Sequence, residues 1–102
     1  MILHVTNAKY LGGYRVQLVF NDGRQGVADL SGSLDGSVFK PLKNENYFAQ
    51  LKLNQELDTI SWPNGADLAP EYLYFLAFKD DPKLQDQFRE WGYKTAEQIA
   101  QH

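Results

Sequence analysis

Cysteine is absent from the 102 residues. That removes disulfides, thiolate zinc sites, cysteine-ligated iron–sulfur clusters and a cysteine nucleophile. Small secreted domains often carry disulfides, so the absence points to the cytosol. Histidine is scarce: His4 lies near the start and His102 is the last residue. Neither has a carboxylate or hydroxyl at a recognisable catalytic spacing, so His4 is expected to be a strand residue beside the sheet. Long apolar runs are missing as well. The longest, Tyr72 to Phe78, falls far short of the roughly 20 residues of a membrane span. The start, Met1-Ile2-Leu3-His4-Val5-Thr6, has neither the basic segment nor the apolar stretch of a signal peptide. The expectation is a cytoplasmic protein without a membrane partner. Positive charge is short too, with ten Lys and Arg against thirteen Asp and Glu and a net charge of −3. Phosphate neutralisation needs clustered cations, so nucleic acid is a disfavoured partner.

What is present suffices for a core. Hydrophobic residues make up 43% of the chain and aromatic ones 14%, enough for a single domain over residues 1–102 without staples. Ile2 to Tyr10 reads as a strand with imperfect alternation, Ile2, His4, Thr6 and Ala8 on one face and Leu3, Val5, Asn7 and Lys9 on the other. Gly12-Gly13 is a hairpin signal. Tyr14 to Phe20 alternates cleanly, with Tyr14, Val16, Leu18 and Phe20 on one face. Asn21-Asp22-Gly23 turns the chain into a third strand, Arg24 to Leu30, whose larger apolar residues are Val27 and Leu30. Val38 to Leu42 is expected to anchor a Ser/Gly-rich loop, and Asn44 to cap a short helix in which Tyr47 and Phe48 pack. Leu51 to Asn54 and Thr59 to Trp62 read as two further short strands, closed by Pro63-Asn64-Gly65. Pro70 opens a helix to about Phe78, with Asp67 preferred over Ala69 as its cap. Asp81-Pro82 opens another, with Leu84, Phe88 and Trp91 in one stripe and Gly92 at its end. Thr95 to Gln98 fits a capping box for a last short helix. The fold class is therefore α+β: a small antiparallel sheet, a three-stranded meander plus two short strands, packed by the helix at about 70–78, with a short C-terminal helical extension.

No base, nucleophile and orienting group can be named together, so an enzyme is not expected, and no cofactor is called for. Ser31, Ser33, Ser37 and Ser61 lack a nucleophile-elbow context. Asp67 and Glu71 are four apart and could share one side of a helix start, but both also suit the positive end of the helix dipole. No third ligand stands at a metal-site spacing. The glycines do not form a phosphate cradle. Residues 80–102 hold Lys83, Arg89 and Lys94 against Asp80, Asp81, Asp86, Glu90 and Glu97, the wrong balance for a groove-reading helix.

One string is distinctive. Phe20-Asn21-Asp22-Gly23, Val27-Ala28-Asp29-Leu30, Phe39-x-Pro41-Leu42, Phe48, and Ile60-x-Trp62-Pro63-Asn64-Gly65-Ala66-Asp67-Leu68-Ala69-Pro70-Glu71-x-Leu73 occur in an order that resembles a family of small bacterial proteins classed as a domain of unknown function, family 2442. The resemblance spans about residues 1–78. It implies an α+β fold with a helix after the W-P-N-G-A-D segment, and a bacterial cytosolic protein. It carries no established activity and hence no catalytic residue. Members are suspected of being the antitoxin-like half of toxin–antitoxin pairs, and some carry a helix-turn-helix domain afterwards. Residues 1–79 are then the family core and 80–102 a helical extension.

The expected function is a non-enzymatic protein-interaction module, antitoxin-like, whose partner is another small protein or a second copy of itself. It rests on the apolar surface of the helix at 72–78 and of the stripe Leu84, Phe88 and Trp91, which exceeds what the sheet obviously needs. A small-ligand or metal-binding module at Trp62, Asn64, Asp67 and Glu71 is the alternative. DNA-binding regulation through the last helices is a third.

Overall fold

A computed structural model of the chain describes residues 2–93. Three strands form an antiparallel meander in the order β1 (Val5–Gly12), β2 (Arg15–Phe20) and β3 (Gln25–Asp29). A separate two-stranded ribbon pairs β4 (Lys52–Asn54) with β5 (Thr59–Ser61). Between the sheets lies a short helix, α1 (Glu45–Phe48); after them come α2 (Pro70–Phe78) and α3 (Gln85–Glu90). The ribbon joins the meander through the Val5 N–H, which donates to the Asp58 carbonyl at 2.9 Å. No described helix is long and apolar enough to cross a membrane.

The expected α+β architecture is present, with shifts at its edges. β1 begins at Val5 rather than Ile2: before it, one backbone bond from the Asn21 N–H to the His4 carbonyl at 2.9 Å is joined by the Asn21 side chain instead of a continued ladder. Asn21 donates to the Ile2 carbonyl at 2.6 Å and accepts from the His4 N–H at 2.9 Å. Irregularities between Val5 and Asn7 and between Tyr10 and Gly12 interrupt β1. Such bulges switch which residues face the core, so Val5 and Ala8 pack on the same side although the simple alternation separates them. Tyr14 belongs to the first turn, not to β2. Its ring meets Phe48 edge-on at 5.3 Å and its hydroxyl donates to the Lys43 carbonyl.

In β3 the inward set is Gly26, Ala28 and then Leu30, opposite Leu18, Val16 and Tyr14. Val27, expected as a main apolar residue of this strand, points to the outer face and is 44% exposed. The reason is α2. A Cβ built on Gly26 would lie 2.7 Å from the Phe78 ring and 3.2 Å from the Ala77 Cβ. Helix and strand approach so closely that only the smallest residues fit between them.

The core runs through Val16, Leu18, Phe20, Leu30, Leu42, Phe48, Ile60, Leu73 and Phe88. Full burial of each such side chain is worth about 1.5–3 kcal/mol. Leu42 anchors its loop as expected, and Asn44 caps α1 by accepting from the Asn46 and Tyr47 N–H groups at 2.9 and 3.3 Å. The Asp81 helix begins as a 3₁₀ turn (Pro82–Leu84) capped by Asp81 on the Lys83 N–H, then continues as α3. It ends in a Schellman motif: Gly92 has φ +88°, its N–H donates to Arg89, and the Tyr93 N–H donates to Phe88. The helix expected from Thr95 lies outside the described residues.

Candidate functional site

The W-P-N-G-A-D segment is a knot of local bonds. Gly65 (φ +87°) donates to the Trp62 carbonyl, and Trp62 donates to the Ala66 carbonyl, both at 2.9 Å. Asn64 accepts from the Ala66 N–H at 3.1 Å and donates to the Val38 carbonyl at 2.9 Å, so both ends of its amide hold backbone. The Trp62 ring is buried against Phe48, with centroids 5.5 Å apart, and its Nε1–H donates to the Phe48 carbonyl at 2.9 Å. Asp67 bridges back to Ser61, and the Thr59 hydroxyl donates to the Leu68 carbonyl at 2.5 Å.

Asp67 does not cap α2, contrary to expectation. Pro70 at the first helical position makes Ala69 the cap residue, with extended ψ of 140° and no side-chain bond. Asp67, two residues earlier, is occupied as a sheet partner of Ser61. Glu71 sits in the first turn of α2. A cleft of about 250 Å³ opens beside Trp62, but its walls are Gln50, Lys52, Ser61, Trp62 and Pro63. Asn64, Asp67 and Glu71 do not line it. Among the described residues, no three His, Asp or Glu side chains come together as a metal site.

The stripe of α3 is divided. Phe88 is fully buried and meets Phe75 edge-on at 5.1 Å. Leu84 and Trp91 are half-buried and line a cleft of about 200 Å³ with Leu3, Asp22, Tyr74 and Gln87. Tyr93 stacks on Phe75 at 5.0 Å. The chain's own Phe88, Trp91 and Tyr93 thus cover the Tyr72, Tyr74 and Phe75 side of α2, while Leu76 and Phe78 stay half-buried.

Two side-chain groupings link residues too far apart in sequence for spacing to reveal them. His4 Nε2 lies 3.5 Å from Asp58 Oδ2, with the side chains 39% and 45% exposed; no hydroxyl bonds to that pair among the described residues. Tyr74 donates to Asp22 Oδ2 at 2.7 Å, and Arg24 reaches Asp81 Oδ2 at 3.1 Å. Burial, then the bond to Asp22 and its charge, push the Tyr74 hydroxyl up to about 12. This network clasps the β2–β3 turn to the α2–α3 junction.

A third feature is the free side of β3. The Phe20 N–H donates to Arg24 and the Leu30 N–H to Tyr14. With the Leu18–Gly26 and Val16–Ala28 pairs between them, these bonds place the even-numbered backbone of β3 toward β2. In an antiparallel ladder the alternate residues point their amides and carbonyls the other way, here Gln25, Val27 and Asp29. No strand pairs that side among the described residues. Beside it lies a cleft of about 350 Å³ lined by Val27, Asp29, Leu76, Phe78, Lys79 and Asp80, among others. The Ser31 N–H donates to Asp29 Oδ1 at 2.9 Å and, with the Ser31 side chain and nearby Arg15 and Lys79, holds that carboxyl below its ordinary range.

Comparison with known proteins finds no significant match among curated proteins or solved structures. A family profile does match, over residues 5–79, a span that takes in both sheets and α2 and stops before the Asp81 cap. The chain belongs to the family described as protein of unknown function, DUF2442.

Proposed function

We propose that the protein is a non-enzymatic protein-interaction module of the bacterial cytoplasm, an antitoxin-like partner of another small protein. The observation that carries this reading is the unpaired side of β3 beside a cleft of mixed lining, with Val27, Leu76 and Phe78 as apolar walls and Asp29, Asp80 and Asp81 as acids. Exposed sheet edges recruit extended chain, since they present unpaired amides and carbonyls in a fixed row. Surplus helical surface supports interaction less, because Phe88 and Tyr93 pack on Phe75 of α2. The antitoxin-like role draws on the family resemblance, and the cytoplasmic setting on the absence of cysteine.

The test is recovery of the tagged full chain at native expression, followed by mass spectrometry and by hydrogen exchange on the complex. One small protein enriched in stoichiometric amount, slowing exchange at defined amides of this chain, is the expected result. A monodisperse monomer that enriches nothing ends the proposal.

A further inference from the structure

The geometry points to the free side of β3 as a strand-addition site for an extended partner segment that alternates apolar and basic residues. This rests on the interaction reading above and specifies its chemistry.

The backbone sets the docking mode. Gln25, Val27 and Asp29 offer both amide and carbonyl outward, the pattern that accepts an added strand. Side chains of that strand opposite Gly26 and Ala28 would fall on the α2 side, where Leu76 and Phe78 are half-buried cleft walls. Apolar residues fit there. Those opposite Gln25, Val27 and Asp29 would lie on the outer face.

Charge selects the occupant. The cleft carries Asp29, Asp80 and Asp81 against Lys79. Arg24 engages Asp81; Asp29 is bonded by Ser31 and feels Arg15 and Lys79 without a cation in ion-pair distance, and exposed Asp80 has none in ion-pair distance among the described residues. Lys or Arg on the incoming strand would complement them. A second copy is the poorer occupant, because its β3, Gln25-Gly26-Val27-Ala28-Asp29, brings another acid and no cation.

The test uses the ¹⁵N-labelled full chain and three synthetic peptides: one alternating Lys and Val, one alternating Glu and Val, and the Lys–Val peptide with alternate backbone amides methylated. The Lys–Val peptide should shift the Gln25, Val27 and Asp29 amides. Methylation should abolish those shifts, because it removes the donors a ladder needs. The Glu–Val peptide should bind about tenfold more weakly at low salt, with a gap that narrows as salt rises. Val27→Pro removes an outward donor on an edge strand and should eliminate binding. Should that variant not fold, Asp80→Lys, at an exposed position, should weaken Lys–Val binding about two- to fivefold.

Unmoved β3 amides at saturating peptide, or shifts that survive methylation, overturn the inference. So does a homodimer in sedimentation that protects the same three amides, since it gives the site to a second copy. A co-purifying partner whose protection maps elsewhere removes this site while leaving the interaction module standing.

Discussion

Trp62 is fixed by two unlike forces. Its ring lies 4% exposed among apolar neighbours, and its Nε1–H reaches the Phe48 carbonyl at 2.9 Å. That carbonyl also accepts the Leu51 N–H at 3.2 Å. Loss of the indole therefore weakens its satisfaction without orphaning it. Trp62→Phe should destabilise the fold by about 1–3 kcal/mol, part hydrogen bond and part cavity, read as a lower urea midpoint with unchanged slope. A loss below 0.5 kcal/mol would show the indole bond to be dispensable. The turn chemistry of Pro63 to Gly65 was legible in the residues themselves, because glycine at positive φ and an Asn side chain on nearby backbone are local devices. Two things were not. The Phe48 carbonyl and the Val38 carbonyl, the partners of Trp62 and Asn64, come from 14 and 26 residues away. Asp67 looked like a cap on composition, yet Pro70 decides the helix start two residues later.

At the scale of elements, β3 and α2 show why strand faces are hard to assign by hydropathy. Val27 is the largest apolar residue of β3, but the strand packs through Gly26 and Ala28. Hydropathy favours large residues inward; a helix laid directly across a strand demands small ones. Gly26→Ala tests this. The new Cβ would stand 2.7 Å from the tip of Phe78, which can swing, and 3.2 Å from the Cβ of Ala77, which cannot move without α2. Overpacking of this kind should cost about 1–3 kcal/mol. Gly32→Ala is the control: nothing lies within 4 Å of its Cβ position and its φ is not positive, so its effect should stay within about 0.5 kcal/mol. Equal midpoints for the two variants would mean that α2 is not seated on Gly26. The same inversion puts Val27 on the outer face, and its place in the ladder turns its amide to the open edge, a feature that residue pattern alone does not disclose.

At the scale of the whole molecule, Tyr74 stands where three separate pieces of chain converge. It lies 4.9 Å from Phe20 of β2 and 6.1 Å from Trp91 beyond α3, and bonds to Asp22 in the β2–β3 turn. Arg24 and Asp81 complete the charged surroundings. Its folded value, about 12, stands above the ordinary tyrosine value of 10.0. Below pH 10 the phenol is neutral in both states and its contribution is complete. Between 10 and 12 the unfolded chain ionises while the folded one retains the proton, so stability falls with rising pH. Burial raises Tyr93 as well, and it acts in the same direction. Urea midpoints should thus hold steady up to about pH 9.5 and then decline steeply. Tyr74→Phe should lower stability at neutral pH, because Asp22 loses a donor, but flatten the alkaline decline to the part left by Tyr93 and the other titrating groups. Parallel alkaline slopes in the two proteins would show that the clasp between the β2–β3 turn and the α2–α3 junction does not depend on the protonated phenol.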